Sequence, residues 1–197
     1  MTGTAPPTGP AQSRGRITAR QAALIGALIV VAGAGIAVSF LLRDRGSSST
    51  TTRAATSVTP IGPVAATPAT LAAFAKALGR PIYWAGAVPG EKYEFTETSS
   101  GNVFVRYLPK GVAIGDKRAS FRVIGTYPYP GALKGLRAVA KGKGVAVQGG
   151  GLAFTSAGHP ENVHIAYPGV DYQVEVYDPV PSRARALARS GDVKPVG

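Results

Sequence analysis

Tyr93-Glu-Phe-Thr-Glu-Thr-Ser-Ser-Gly-Asn-Val-Phe-Val-Arg-Tyr107 can be laid over Leu152-Ala-Phe-Thr-Ser-Ala-Gly-His-Pro-Glu-Asn-Val-His-Ile-Ala-Tyr167 with one inserted residue. Further along, Phe121-Arg-Val-Ile-Gly-Thr-Tyr-Pro-Tyr-Pro130 lies over Tyr172-Gln-Val-Glu-Val-Tyr-Asp-Pro-Val-Pro181 with none. Self-similarity at such a spacing reads as a tandem duplication, with half-repeats at 71–130 and 131–190. In both copies apolar residues alternate with a period of two, the mark of strands with one covered face. One face carries Tyr93, Phe95, Val103, Val105, Tyr107, Phe121 and Val123, matched by Leu152, Phe154, Val163, Ile165, Tyr167, Tyr172 and Val174. These positions stay apolar. The other face sets Glu94 against Ala153, Phe104 against His164, Arg106 against Ala166, Arg122 against Gln173 and Ile124 against Glu175. A packed face accepts only apolar swaps of similar volume, whereas a wet face accepts almost anything. The first set is therefore expected inside and the second in water.

Around these strands, Thr70 is placed to cap a helix over Leu71–Leu78, which Gly79-Arg-Pro81 stops. Leu133–Ala140 and Arg183–Ala188 are similar short amphipathic segments, and the first strand of each half falls around Ile82-Tyr-Trp84 and Val145-Ala-Val147. The expected domain, 71–190, is α+β: a duplicated helix-plus-four-strand module forming a mainly antiparallel sheet of about eight strands, with helices on one face. Residues 191–197 read as a tail.

Ahead of the domain, Ala22–Leu42 is a run of twenty-one residues without a charge, bounded by Arg20 and by Arg43-Asp-Arg45. As a helix it would reach ~31 Å at ~1.5 Å per residue, enough to cross a bilayer. Residues 21–43 are therefore expected to be a transmembrane helix behind a basic tail, 1–20. Cleavage as a signal peptide is the alternative, since Ala32-Gly-Ala34 has the small-x-small form. The apolar run continues past that point to Leu42, which argues against it. Arg14, Arg16 and Arg20 on one flank balance Arg43, Arg45 and Arg53 on the other, so flanking charge does not set the orientation. The following stretch does. Within 44–70, Gly46–Thr70 holds eleven Ser or Thr and Pro60, Pro63 and Pro68, too polar to fold and suited to a tether. Such stalks are common outside cells, and we expect the N-terminus in the cytoplasm and the domain beyond the membrane.

Composition closes off much chemistry. The 197 residues contain no cysteine and two histidines, so disulfides, thiol nucleophiles, thiolate metal sites and histidine-rich centres are excluded. Glu91, Glu94, Glu97 and Asp116 lie close in sequence, but alternation sends Glu94 to the face opposite Glu91 and Glu97. His159 and His164 flank a proline turn whose counterpart, Ser100 to Phe104, has no ligand, so no metal is expected. The run Lys141 to Gly151 is glycine-rich but lacks phosphate-loop spacing and leads from a helix into strands. No cofactor is expected either.

Twenty-two Lys and Arg against ten Asp and Glu give a net charge of +12. The excess concentrates where no acid intervenes between Lys117 and Glu161, and Lys134, Arg137, Lys141 and Lys143 are the candidate anion contacts. Arg183, Arg185, Arg189 and Lys194 add to it near the C-terminus. A candidate partner surface is the second sheet face, with Phe104, Arg106, Arg122, Ile124, His164, Glu175 and Tyr177, where aromatics stand among charges.

The succession Pro81-Ile-Tyr-Trp-Ala-Gly86, Tyr93-Glu-Phe-Thr96, Val105-Arg-Tyr-Leu-Pro109, Gly125-Thr-Tyr-Pro128, Ala166-Tyr-Pro-Gly169 and Val174-Glu-Val-Tyr-Asp-Pro179 resembles a family of single-pass, membrane-anchored proteins of high-GC actinobacteria. The resemblance covers the whole domain. It implies the layout above and no activity, because that family's function is unknown. The expectation is a non-catalytic, extracytoplasmic module that binds or scaffolds an envelope component, either an anionic polymer or a membrane protein. The alternatives are a cell-envelope hydrolase and, less in keeping with the layout, a binder of nucleic acid or another anionic polymer through the basic stretch 117–143.

Overall fold

The structure, a computed structural model, describes residues 61–197; the expected membrane helix, the tail before it and the linker as far as residue 60 lie outside the described residues. Among the described residues no helix is long and apolar enough to cross a membrane.

The described chain runs β1 (Ile61–Ala66), α1 (Pro68–Leu78), β2 (Tyr83–Trp84), β3 (Glu91–Glu97), β4 (Val103–Pro109), β5 (Val123–Pro128), α2 (Ala132–Ala140), β6 (Val145–Val147), β7 (Gly151–Phe154), β8 (Asn162–Ala166), β9 (Tyr172–Tyr177), α3 (Pro181–Ser190) and β10 (Lys194–Pro195). Eight of the strands form one antiparallel sheet in the order β1-β3-β4-β5-β9-β8-β7-β6, and β2 pairs with β10 apart from it. The α+β class and the antiparallel sheet are as the alternation predicts.

The domain starts earlier than its polar composition suggests. Ile61–Ala66, read as the end of the linker, pairs with β3, with one extra residue in β1 between Ile61 and Val64 where Pro63 sits. The first helix is capped at Thr67 instead of Thr70. Thr67 Oγ1 accepts from the Thr70 amide at 3.1 Å, and Thr70 Oγ1 accepts from the Thr67 amide at 2.6 Å, a reciprocal box that leaves Pro68 at the first helical position where its missing N–H costs nothing. Gly79, with φ of 62°, closes the helix.

Both faces of the sheet are covered, which corrects the one-sided arrangement. The first face holds Phe95, Val103, Val105, Tyr107, Ile124, Val163, Ile165, Val174 and Val176, packed under α1, α3 and the β2–β10 pair. Phe74 of α1 stacks on Phe95 with centroids 4.5 Å apart. Ala184 and Ala188, one turn apart, bring α3 close to the strands. The second face is covered by α2, through Ala132 and Leu136 against Ala166, and by the segment 110–121 that crosses above β3 and β4.

The ladders also shift the register of the proposed halves by one residue. Val105 lies opposite Ile124, and Ile165 opposite Val174, so Ile124 and Val174 occupy matching positions, as do Gly125 and Glu175. Ile124 is therefore buried on the first face, and Val123, expected there, lies on the second beside Arg106. Leu152 and Phe154 likewise belong to the second face, opposite Ala166 and His164, and Ala153 takes the inward place opposite Ile165. The slip at β7 has a steric cause. A Cβ on Gly151 would come within 2.7 Å of the Tyr167 ring, so the inward position opposite that tyrosine is empty of side chain.

The C-terminal residues are part of the fold. Val193 is buried in the core, its carbonyl accepts from Tyr167 Oη at 3.2 Å, and the Val196 amide donates to the Ile82 carbonyl at 2.9 Å. Deleting residues 192–197 should lower the unfolding free energy by at least ~2 kcal/mol, the scale of one buried valine and its hydrogen bonds, as read by urea denaturation. An unchanged midpoint would show that β10 contributes nothing.

Candidate functional site

The residues expected to form a wet partner surface are mostly enclosed. Phe104 and Ile124 are buried, His164 is 6 % exposed and Glu175 3 %. Phe104 packs edge-on against Tyr127, with centroids 5.6 Å apart. Tyr177 is half-buried and donates to the Ala119 carbonyl at 2.5 Å. Comparison of the copies pointed to solvent here because polar residues change freely on this face, but what permits the change is pairing, not water.

Each buried carboxylate that meets an arginine meets a different one. Glu94, 1 % exposed, takes Arg106 Nη1 on Oε1 at 2.7 Å and the Gly115 amide on Oε2 at 2.5 Å. Arg106 in turn donates to the carbonyls of Asp116 and Arg118 and lies over the Phe121 ring at 5.4 Å. Arg80 holds Glu97 and the Gly101 carbonyl, and Arg122 donates through Nε and Nη2 to Asp178 at 3.1 Å while standing over Tyr107. Asp116 is exposed to Arg118, whose guanidinium donates to both its oxygens and holds its carboxyl down at about 2. Glu94, Glu97 and Asp116 are thus dispersed into separate ion pairs, not gathered as the acid and base of one site. Among the described residues no group of three or more His, Asp or Glu is placed to hold a metal ion.

A second buried cluster lies at the middle of the same face. Tyr127 donates its hydroxyl to Glu175 Oε2, and Gln173 Nε2 donates to His164 Nδ1 at 2.8 Å. The Tyr127 ring reaches Glu175 because Gly125 has no side chain; a Cβ there would sit 2.8 Å from the ring. A nitrogen that accepts from an amide carries no proton, so His164 is neutral with its proton on Nε2. Burial lowers its pKa further, outweighing the opposing pull of Glu175. Burial and the Glu175 charge both push the Tyr127 hydroxyl well above its ordinary range. Enclosed on all sides, these groups bind the strands to one another and meet no solute.

The basic residues behave differently. Lys134, Arg137, Lys141 and Lys143 are all exposed, and among the described residues none has a hydrogen-bonding or ion-pairing side-chain partner. The buried apolar stripe of α2, Ala132, Leu136 and Ala140, turns Lys134 and Arg137 outward. Lys141, with φ of 47°, ends the helix where a cation suits the carbonyl dipoles. Lys143 then stands at a half-open pocket of about 170 Å³ that it shares with Arg185 and Arg189 of α3. This is the candidate site. The four lysines and arginines of the 134–143 segment were legible as charge; the pocket was not, although the spacing of Arg185 and Arg189, one helical turn, already placed them on one face.

Comparison with protein-family models, with curated proteins and with solved structures finds no match to this chain.

Two predictions follow from the buried pairs. Arg106→Ala strands Glu94 in the interior and should cost about 3–5 kcal/mol, whereas Glu94→Leu with Arg106→Ala, which copies the Leu152 and Ala166 pair of β7 and β8, should recover most of it in denaturant unfolding. Because His164 is held neutral when folded and titrates near 6.5 when unfolded, the unfolded chain binds the extra proton, and stability falls as pH drops below that value. Calorimetry between pH 7 and 5 should show a slope of up to ~1.4 kcal/mol per pH unit that His164→Gln removes.

Proposed function

We propose that this chain is a single-pass membrane protein whose domain stands outside the cytoplasm and holds an anionic component of the envelope, without catalysis. One observation carries the reading: Glu94, Glu97, Asp178 and Asp116 are consumed by arginines within the fold, so the domain's surplus of sixteen Lys and Arg over nine Asp and Glu is expressed as unpaired cations at the surface. Such a surface attracts polyanions over the distance that salt allows. The uncharged run Ala22–Leu42 and the Ser/Thr/Pro-rich stretch after it supply the anchor and tether in this reading. The same layout is that of the actinobacterial family the chain resembles.

Of the two surfaces the sequence offered, the basic one is retained. Arg106 and Arg122 are spoken for by Glu94 and Asp178, so exchanging them for Glu would unfold the domain before it tested binding. Lys134, Arg137, Lys141 and Lys143 remain as the contact.

We also infer that the domain arose by duplication. In support, the strand order sets β1-β3-β4-β5 against β9-β8-β7-β6, and Gly125 and Glu175 face one another at the join.

In full-length protein held in neutral detergent, replacing Lys134, Arg137, Lys141 and Lys143 with Glu should weaken retention on an immobilised anionic wall polymer at least tenfold and flatten its dependence on salt. Retention unchanged by the four substitutions would sink the electrostatic reading. A reporter fused after Gly197 should be active only beyond the membrane; activity in the cytoplasm would overturn the orientation and leave nucleic acid as the polyanion within reach.

A further inference from the structure

The pocket beside Lys143 is more selective than a charged surface needs to be. Its rim brings together Lys143, from the turn between α2 and β6, and Arg185 and Arg189, one turn apart on α3, with Thr155 from the end of β7. No carboxylate lines it. Arg185 is half-buried, the other two are exposed, and none of the three has a hydrogen-bonding or ion-pairing side-chain partner among the described residues. Elsewhere in this domain Arg80, Arg106 and Arg122 are each neutralised by a carboxylate of the chain itself. Three like charges around one cavity repel one another unless an anion enters.

The donor set narrows the anion. A carboxylate presents two oxygens in one plane and is satisfied by a single guanidinium fork. Two forks on α3 and an ammonium on the facing turn supply donors from several directions, which suits the tetrahedral oxygens of a phosphoryl group. Behind the charges the floor is apolar, with the buried Ala153 and Val163 of the first face. The volume, about 170 Å³, is slightly above the ~150 Å³ that accommodates a benzene-sized molecule in an apolar cavity. That is room for a phosphoryl group and a short carbon chain lying on the floor.

We propose that this pocket binds a phosphate ester of a small alcohol, the phosphoryl group held by Lys143, Arg185 and Arg189 and the alcohol's carbons resting on Ala153 and Val163. The proposal rests on the anion-binding reading above and names the group recognised. The same chemistry occurs in a lipid headgroup and in a soluble or polymeric phosphate ester.

Titration calorimetry on the full-length protein in neutral detergent tests it, with glycerol 3-phosphate, acetate and short-chain phosphatidylglycerol below its micelle concentration as probes. Glycerol 3-phosphate should bind at least tenfold more tightly than acetate. Arg185→Gln with Arg189→Gln should weaken it at least tenfold, while Lys76→Gln with Lys110→Gln, exposed cations elsewhere on the domain, changes it less than twofold. Lys143→Ala, on a separate element, should weaken it as well and guards against a folding defect in α3. Binding of phosphatidylglycerol tenfold tighter than glycerol 3-phosphate would assign the lipid headgroup; equal or weaker binding would assign the soluble or polymeric ester. Equal affinity for acetate and glycerol 3-phosphate, or indifference to the α3 pair, overturns the pocket proposal. If retention on the wall polymer persists without glycerol 3-phosphate binding, only the pocket fails; if both are lost, the wider reading fails with it.

Discussion

The two blocks of strands are continuous through one ladder, β5 against β9, six residue pairs from Val123–Tyr177 to Pro128–Tyr172. At its middle Gly125 faces Glu175, and a carboxylate enclosed there is tolerable only if it is hydrogen-bonded. The missing side chain of Gly125 lets Tyr127 fold across the gap and donate to Glu175, so the join is tied by side chains as well as backbone. One strand further, His164 stays neutral because Gln173 occupies its free nitrogen and because the site is dry. The rest of the domain assembles around that central seam, with α1, α3 and the β2–β10 pair on one side and α2 and the 110–121 segment on the other.

Apolar alternation was enough to find β3, β4, β8 and β9 and to place Val103, Val105, Tyr107, Val163 and Ile165 on a covered face. It failed by one residue at β5 and β7, where glycines remove the side chains that would have fixed the count. It also could not say whether the opposite face was wet. On a sheet covered on both sides, polar residues survive by pairing, and their partners are mostly remote in sequence: Arg80 with Glu97, Arg122 with Asp178, Tyr127 with Glu175. Only Glu94 and Arg106, facing each other across a hairpin, formed a pair that strand counting alone could have drawn. Residues 61–66 and 191–197 were read as linker and tail because Pro, Gly and small residues dominate them, yet edge strands are where such residues belong.

Charge is divided between two duties here. Arginines that close over carboxylates are largely withdrawn from water, keep a flat guanidinium against Phe121 or Tyr107, and stabilise the arrangement of strands. Those of α3 together with the lysines around α2 have no such duty, and their side chains remain available to a solute. The net basicity of the sequence is the visible remainder of that division, which is why composition alone indicated a polyanion but could not tell the arginines that pair inside the fold from the cations left outside it.

The entry of the chain into the domain has a mechanical side. Any tug from the residues before Ile61 arrives first at β1, an edge strand, whose near end carries the extra residue and the proline that cannot donate. That end would give way first under load, paying out a few residues of slack, while the pairing of Val64, Ala65 and Ala66 with Phe95, Glu94 and Tyr93 holds.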